Sequence, residues 1–444
     1  MANTYLTRTT NTSGASRTTW TWSGWIKRSS LSGQQDLFSA YASDNDYMNV
    51  RFFEADENIQ FRVLIGGNFA ARKYTTRKFR DTSGWYNLIF VWDTTNSSAS
   101  QRMRIYVNGV QETSFATSAN PSSGLQGQIN ASGSMQIGAK NGADFFNGSM
   151  SHVHFADGQA LAPSIFGETD STTGEWKIKP APSFTLGTNG FTILKDGNTI
   201  TDQSANSNNF SLGGGTITAT KDCPDNNFAT LNPLDVSLPS TFTLKYGNLE
   251  NLTMTDTDVS GNHTYGRAFS TLQVASGKFY AEMKWVNTGG AGMVGVTSRS
   301  GVITSQHAYL GKENEDWRYY HDGTKMNNNS SSSYGDSQAN GDIVGVALDL
   351  DNLKIYFSKN GTWQNSGNPA SGSTGTGAAF TLTAPNLTSN GSYKFGIGTQ
   401  GGQNVKGTWN FGNGYFGTTA ITTNSGNGYA GAEGASKFNY QPPS

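Results

Sequence analysis

Segment 168–175 holds the carboxylates whose spacing comes nearest to a catalytic pattern. Enzymes that cleave glycosidic bonds use paired carboxylates, and acids that alternate along one strand point into one cleft. Glu168 and Asp170 alternate in this way, but Thr173 stands where the next acid is needed and Glu175 lies two residues too late. Because the segment is also rich in turn-forming residues, we expect a solvated loop and a protein that is not an enzyme.

The other reactive residue types lack partners at useful spacing. Cys223 is the only cysteine and has no histidine near it in the sequence, so we expect a small buried or half-buried thiol. His152 and His154 alternate, which would place both imidazoles on one side of a strand, where they could hold a metal. No third ligand follows at a suitable distance, so hydrogen-bonded surface histidines are the favoured interpretation.

The polar segment 311–337 has the residue types of a sugar-binding surface. Its candidate ligand-binding residues are Trp317, Arg318, Tyr319, Tyr320, His321 and Tyr334. Aromatic rings can stack on sugars, while cationic and imidazole groups can hydrogen-bond their hydroxyls. Strand alternation sends Trp317, Tyr319 and His321 to one side of the strand. It sends Arg318 and Tyr320 to the opposite side, so only one of the two sets can be core. The alternative, in which these large aromatics fill the core, remains open.

Composition favours an all-β protein with more than one domain. The chain has 444 residues, 54 of them glycine, with 12% aromatic and 14% charged residues, which is typical of many short strands joined by turns. Lys plus Arg (31) nearly balance Asp plus Glu (32), which argues against nucleic acid or a membrane as a partner. The polar N-terminal residues lack a secretory signal, so we expect synthesis in a cytoplasm.

Strand patterns divide the chain into four parts. Residues 1–165 contain "TWTWSGWIKR", "WYNLIFVWDTT" and a hairpin at Asn108-Gly109, whose residue types suit a type I′ turn. Residues 166–238 are rich in Pro, Gly and Asn, and predict a connector whose apolar residues pack on its neighbours. Strand patterns return over 239–415, and 416–444 form a Gly/Ser/Asn-rich tail. The expected fold is two antiparallel β-sandwiches joined by a packed connector.

The hairpin of residues 341–361, "GDIVGVALDLDNLKIYFSKNG", alternates on both strands. Val344, Val346 and Leu348 fall on one side, where they are expected to form core with Ile355 and Phe357 of the second strand. The opposite side carries Gly345, Ala347 and Asp349, which would let a second layer or solvent approach closely.

Two family resemblances cover these strand-rich parts. "GKFYAEMKWVNTGGAGMVGVTS", "NGDIVGVALDLDNLKIYFSKNGTW" and "YKFGIGT" resemble the SPRY domain, a two-sheet β-sandwich that usually binds partners through loops. "WTWSGWIKR", "GWYNLIFVWD", "RIYVNGV" and "IGAKNGADFFNGSMSHVHFADGQAL" resemble laminin-G or pentraxin-like domains of the concanavalin A jelly-roll class. Because that class often binds calcium through loops, Asp144 and Asp157 are weak candidate ligands, although turn formation is the favoured role of both.

The combination of both domains with "FADGQALAPSIFGETDSTTGEW", "TNGFTILKD" and "CPDNNFATLNPL" resembles virion structural proteins of marine tailed phages. The resemblance implies a tail-fibre or appendage component that contacts host surface glycans through its loops, without a cofactor. It also implies other virion proteins as partners and a homo-oligomer, with a trimer as the expected state. A decoration or connector protein that contacts only virion chains is the alternative, and a glycan depolymerase is disfavoured. The tail would dock only in an assembled particle.

Overall fold

A computed structural model describes the chain at residues 3–10, 14, 16–195, 200–237, 251–255, 266–299, 309–385, 391–400, 403–417, 419–421, 428–431 and 436–443. The chain forms two compact units, Met1–Ala219 with Cys223–Asn227 and Thr220–Asp222 with Phe228–Ser444. The expected all-β class is confirmed, because antiparallel strands dominate both units. The helices among the described residues are short 3-10 turns at Ala99–Gln101, Pro163–Ile165, Gln364–Ser366 and Pro369–Thr374. Within this described part, no helix has the length and apolarity needed to cross a membrane.

The N-terminal unit is a sandwich of an eight-stranded and a six-stranded sheet. Its strands are β1 (Tyr5–Thr10), β2 (Thr19–Arg28), β3 (Gln35–Ser43), β4 (Asp46–Phe53), β5 (Asn58–Ile65), β6 (Asn68–Thr75), β7 (Tyr86–Asp93), β8 (Met103–Val107), β9 (Val110–Gln111), β10 (Phe115–Ala119), β11 (Gly133–Ile137), β12 (Gly148–Asp157), β13 (Gly167–Thr169), β14 (Trp176–Ile178), β15 (Phe191–Ile193) and β16 (Ser211–Gly214). The large sheet has the order β10-β6-β5-β4-β3-β11-β1-β16, the second has β15-β12-β2-β7-β8-β9, and β13 pairs with β14.

Alternation places the apolar residues of this unit as the sequence predicts. Trp20 and Trp22 of β2 are fully buried between the two sheets, where Trp22 stacks on Phe38 at a centroid distance of 6.0 Å. Strand β7 is buried on both faces, because its other side forms a second apolar cluster with Phe166. Asn108 and Gly109 have φ values of 47° and 78°, which is the backbone of the predicted type I′ turn.

Residues 166–219, which form most of the predicted connector of residues 166–238, lie within the N-terminal unit. Phe191 and Phe210 pack edge to face in the core of the sandwich, with their ring centroids 4.8 Å apart. Strand β15 extends the six-stranded sheet beside β12, and β16 extends the eight-stranded sheet beside β1. Apolar side chains therefore attach this Pro/Gly/Asn-rich segment to the sandwich on both sheets.

The C-terminal unit contains two seven-stranded sheets. Its strands are β17 (Leu231–Ser237), β18 (Asn251–Thr255), β19 (Arg267–Ser270), β20 (Lys278–Asn287), β21 (Met293–Thr297), β22 (Asp316–Tyr320), β23 (Thr324–Asn327), β24 (Ser330–Ser333), β25 (Ile343–Asp349), β26 (Lys354–Lys359), β27 (Thr362–Trp363), β28 (Phe380–Thr381), β29 (Lys394–Gly398), β30 (Asn404–Asn410), β31 (Tyr415–Phe416), β32 (Thr419–Ala420), β33 (Tyr429–Ala430) and β34 (Lys437–Phe438). One sheet has the order β17-β19-β29-β21-β22-β23-β24 and the other has β18-β30-β20-β25-β26-β27, with β28 beside β26.

The hairpin of β25 and β26 is the centre of the second sheet. Val344, Val346, Leu348, Ile355 and Phe357 are all buried in the core of this unit, as their alternation predicts. The opposite face of the hairpin is covered as well, by a second layer that includes the C-terminal residues. The described part of the tail therefore docks within its own chain, which corrects the expectation that it docks only in an assembled particle.

Candidate functional site

The C-terminal tail is held by a buried carboxylate. Glu282 of β20 is fully buried, and its two oxygens accept hydrogen bonds from the backbone N–H groups of Asn439 and Tyr440, each at 2.7 Å. The side chain of Asn410 donates to the same carboxylate at 3.2 Å and to the carbonyl of Lys437 at 2.9 Å. Burial raises the pKa of Glu282, and these hydrogen bonds act in the opposite direction by stabilising its ionised form.

Tyr280 connects this carboxylate to the aromatic part of the site. Its hydroxyl donates to Glu282 at 3.1 Å, and its ring packs edge to face on Phe438 and Trp363 at centroid distances of 5.0 and 6.2 Å. A Cβ atom at Gly345 would lie 2.7 Å from the Tyr280 hydroxyl, so only glycine leaves room for this ring to cross β25. The close approach of Tyr280 therefore explains why a glycine stands in the middle of this buried strand.

One wall of the site is formed by the chain that starts at the turn between β26 and β27. Asn360 and Gly361 take φ values of 49° and 82°, and Thr362 and Trp363 follow in β27. The Asn360 side chain accepts from the backbone N–H of Ile343 at 2.8 Å, which fixes the turn on the sheet. Further along, the side chain of Asn368 accepts from Ala370 N–H at 3.0 Å and caps a 3-10 helix.

The opposite wall is made by the tail. Together the two walls border an open depression of about 750 Å³, here named the tail pocket, lined by Asn360, Gly361, Thr362, Trp363, Gly367, Asn368, Pro369, Ala370, Tyr429, Tyr440, Gln441, Pro442 and Pro443. Three aromatic side chains and the amides of Asn368 and Gln441 lie among these residues, and none of the thirteen carries a formal charge. Such a lining suits an uncharged ligand with apolar faces and hydroxyl groups, which is the chemistry of a neutral sugar ring.

Three of the aromatic residues proposed from the sequence lie in the core. Trp317 and Tyr319 of β22 point between the sheets, where Trp317 packs on Tyr393 at a centroid distance of 5.5 Å. Tyr334 is also buried, and its hydroxyl accepts from the backbone N–H of Phe357 at 3.3 Å. Of the two interpretations that the sequence leaves open, core packing is therefore the one that holds for these three residues, and they do not belong to a sugar-binding surface.

The other candidates lie outside that core, and His321 does not share the face of Trp317 and Tyr319 that alternation predicts, because β22 ends at Tyr320. Arg318 is only 4% exposed, because its guanidinium lies between the rings of Tyr309 and Tyr320, 4.8 and 4.6 Å from their centroids. Tyr320 and His321 are half-buried, with ring centroids 4.4 Å apart. These two residues keep an accessible edge, but Arg318 is occupied in stacking.

The weak calcium candidates do not meet in space as a cluster of acids. Asp157 is buried, and its carboxylate accepts hydrogen bonds from the Asn130 side chain and from the backbone N–H groups of Ser16 and Asn189. Asp144 is half-buried in a turn whose carbonyl accepts from the backbone N–H of Asp36 at 2.8 Å. Across the residues that the structure describes, no group of three or more His, Cys, Asp or Glu side chains is placed to hold a metal ion.

The remaining chemical candidates have structural roles. His152 adopts a φ of 48° at a register shift of β12. Both histidines are buried, so the expectation of surface histidines, which rested on the missing third ligand, is wrong. His154 contacts the Thr192 hydroxyl at 2.9 Å and stacks on Phe166, and burial lowers its pKa to about 3. Cys223 is half-buried in a turn that its backbone forms with Asn226.

Segment 168–175 forms a hairpin rather than an irregular loop. Glu168 is exposed on β13, whereas Asp170 accepts from the N–H groups of Thr172 and Thr173 and pairs with Lys177 at 2.6 Å. The Asp170 carboxylate is therefore occupied in closing the turn, and the hydrogen bond from Lys177 lowers its pKa.

The comparisons with known proteins agree with this architecture. Residues 2–165 match the Laminin_G_3 family, described as the concanavalin A-like lectin/glucanases superfamily, and residues 278–387 match the SPRY domain family. The fold and the family matches together define a two-domain β-sandwich protein. Its N-terminal domain is concanavalin A-like and its C-terminal domain is SPRY, and the tail residues of the pocket lie beyond the matched SPRY segment.

Three solved structures resemble parts of the chain. The SPRY domain of human HERC1 is 18% identical, with a TM-score of 0.29, and the match covers 40% of this chain and 96% of that one. A native heptameric SAP-like pentraxin from Limulus polyphemus is 20% identical, with a TM-score of 0.27 and coverage of 36% and 72%. Domain 4 of AbnA, a GH43 extracellular arabinanase from Geobacillus stearothermophilus in complex with arabinotriose, is 20% identical, with a TM-score of 0.26 and coverage of 33% and 64%. Among curated proteins, no sequence matches this chain.

Proposed function

We propose that the protein is a non-enzymatic component of a tailed-phage particle, of the tail-fibre or appendage type, that binds host surface glycans. The tail pocket is the observation that carries the proposal. Trp363, Tyr429 and Tyr440 supply stacking faces, while Asn368 and Gln441 supply amide donors and acceptors around an uncharged cavity. The virion assignment rests on the sequence resemblance and remains part of the proposal.

The residues that line the tail pocket favour glycan binding over glycan cleavage. None of its thirteen lining residues is an aspartate, glutamate, histidine or cysteine, so the pocket lining lacks the paired carboxylates that most glycosidases use and has no thiol nucleophile. A single shallow sugar site of this kind binds weakly, on the order of millimolar, and several copies on one particle would raise the effective affinity. We therefore also propose a homo-oligomer in the virion, with a trimer as the starting hypothesis.

A second candidate function is a decoration or connector protein that contacts only other virion chains. Exposed apolar side chains on the C-terminal unit favour it, since Phe279 is 38% exposed and Val286 is 51% exposed on the same strand, β20. A protein contact would have to cover both side chains in one apolar patch, because singly exposed apolar residues are ordinary at a protein surface. In that case the tail pocket would receive a segment of another virion protein.

Adsorption competition separates the two functions. Host cells are incubated with excess purified protein before particles are added, and adsorbed particles are then counted. A glycan-binding appendage predicts fewer adsorbed particles after wild-type protein and no reduction after Trp363→Ala. If wild-type protein leaves adsorption unchanged while labelled antibodies find the chain covered by other virion proteins, the connector function replaces the proposal.

A further inference from the structure

The eight-stranded sheet of the N-terminal unit carries arginines on the face that is turned away from the core. Val50 of β4 and Phe61 of β5 point into the sandwich, so their neighbours along each strand point the other way. In the register of these strands, Arg62 lies between Asn49 of β4 and Arg72 of β6. Directly paired residues share a face, so the two arginines are neighbours on the outer side of the sheet.

Aromatic rings hold these guanidinium groups in place. Arg72 lies over Phe69 and Tyr74, 4.7 and 5.9 Å from the two ring centroids, and Arg62 lies over Tyr47 at 5.4 Å. Phe69 is 41% exposed, and Arg72 and Tyr74 are half-buried. A stacked guanidinium keeps its planar edge available for hydrogen bonds and loses little rotamer entropy when it binds.

Arg62 has hydrogen-bonding capacity that the described residues do not use. Its Nε donates to the Asn49 side chain at 3.1 Å, whereas its Nη2 has no hydrogen-bond partner, although the residue is only 6% exposed. Arg51 on the same face donates to the neutral Gln60 side chain at 2.9 and 3.1 Å. Neither arginine has a carboxylate among its described hydrogen-bond partners, and an unused buried donor is costly unless a ligand or solvent satisfies it.

The charge balance of this face is positive. Its cations are Arg51, Arg62, Arg72 and Lys140, whose ammonium lies over the Tyr47 ring at 4.6 Å, and the acids close to them are Asp36 and Asp144. Burial raises the pKa of Asp36 to about 7, which reduces its negative charge at neutral pH. A net positive surface with exposed rings is complementary to an anionic ligand that also has apolar faces.

We propose that this surface, here named the arginine face, binds an acidic polysaccharide whose sugars carry carboxylates. Arg72, the more exposed of the two arginines, pairs with a carboxylate in the planar, two-donor geometry of a guanidinium, and Arg62 beside it contributes positive charge from its buried guanidinium, while Phe69 and Tyr74 contact the faces of the sugar rings. The inference rests on the proposed glycan-binding function, but it concerns a different unit and a ligand of different charge from that of the uncharged tail pocket.

Titration calorimetry with polygalacturonate oligomers tests the arginine face in the full-length protein, with neutral dextran as a second titrant. We expect binding of the acidic oligomer, at least tenfold weaker binding of dextran, and at least fivefold weaker acidic-oligomer binding for Arg62→Gln and for Arg72→Gln. Lys177→Gln removes the same charge from an exposed hairpin residue and should leave the affinity unchanged. Melting temperatures of all variants are measured, and Arg72→Gln, at the more exposed position, keeps the test valid if Arg62→Gln unfolds.

Equal affinity of wild type and Arg72→Gln, or equal loss with Lys177→Gln, would overturn the arginine face. Tighter binding of a DNA oligonucleotide or of dextran sulfate than of polygalacturonate would also overturn it, because the face would then recognise charge and not carboxylated sugar. Trp363→Ala distinguishes the two hypotheses. If this variant loses binding to host glycans but retains polygalacturonate, the two sites are separate. If neither site binds any glycan, the proposed function fails with the inference.

Discussion

The Glu282 carboxylate accepts the backbone N–H of Tyr440 at 2.7 Å, although 158 positions separate the two residues in the chain. This bond places the last described residues of the chain against the sheet that contains β20. Because Tyr440, Gln441, Pro442 and Pro443 line the tail pocket, the cavity has its observed shape only while the tail is docked. A ligand in the pocket would therefore stabilise the docked tail, by linkage.

Glu282→Gln should loosen the tail. An amide offers one acceptor oxygen in place of two, so at least one of the N–H groups of Asn439 and Tyr440 loses its partner, at a cost of about 1–3 kcal/mol. Hydrogen exchange should become faster at the backbone amides of residues 437–441 while β25 remains protected. Glu168→Gln is the matched control, because its carboxyl group is 63% exposed, and it should change neither region. Unchanged exchange in the tail of Glu282→Gln would show that other contacts dock it.

Gly345→Ala should disturb the packing of Tyr280 and the tail on this face of β25. The added methyl would lie 2.4 Å from the Ser358 hydroxyl and 2.7 Å from that of Tyr280, so the Tyr280 ring must move away from Glu282. We expect a loss of about 1–3 kcal/mol in the free energy of unfolding, measured by urea titration. Gly84→Ala is the control, since its nearest neighbour is an Asp81 carboxylate oxygen at 3.5 Å. A Gly345→Ala protein as stable as wild type contradicts the packing described for Tyr280.

Trp317→Ala and Tyr320→Ala should differ sharply in stability. Trp317 is 2% exposed in the core, so its truncation should cost about 3–5 kcal/mol, whereas half-buried Tyr320 should cost roughly 1 kcal/mol or less. Thermal unfolding of the two variants beside wild type measures the difference. Comparable stability of the two proteins would mean that β22 does not present the faces seen here.

Asp36 should make the N-terminal unit less stable as the pH rises. Burial raises its folded-state pKa to about 7, above the value in an unfolded chain, so the folded state binds the proton more tightly. The contribution of Asp36 to the free energy of unfolding is fully present below about pH 4, and it is lost as the pH rises through 7. The free energy of unfolding of wild type, measured by urea titration, should decrease between pH 5 and pH 8. In Asp36→Asn this decrease should be smaller by roughly 1–3 kcal/mol. Equal decreases in both proteins would contradict a raised pKa of Asp36 in the folded state.

Local patterns were sufficient to predict the strands and much of the core. The alternation of Val344, Val346 and Leu348 has period two, and the type I′ preference of Asn108-Gly109 is decided within two residues, so neither depends on distant parts of the chain. The same alternation separated Trp317 from Arg318 correctly but could not say which side was core. Both sides of β22 carry aromatic residues, so hydrophobicity alone does not choose between them.

The tail pocket could not be predicted in this way. Its two walls come from residues between 360 and 370 and from Tyr429 and residues 440–443 of the tail, which the hydrogen bonds of Glu282 hold against the sheet. A Gly/Ser/Asn-rich tail has no periodic signal, and backbone N–H groups that bind a carboxylate leave no mark on residue type. The available signals were Gly345 in a buried strand, the acid Glu282 in the middle of β20, and aromatic residues in a Gly/Ser/Asn-rich segment.

Direct glycan binding by the tail pocket tests the central claim. Purified wild-type protein, Trp363→Ala and the control Phe279→Ala, which removes an exposed aromatic outside the pocket, are applied to an array of bacterial surface polysaccharides. We predict that wild type and Phe279→Ala bind the same neutral glycans and that Trp363→Ala loses at least tenfold in signal while keeping the melting temperature of wild type. Binding that persists undiminished in a folded Trp363→Ala protein, or no binding by wild type to any glycan, would contradict the claim.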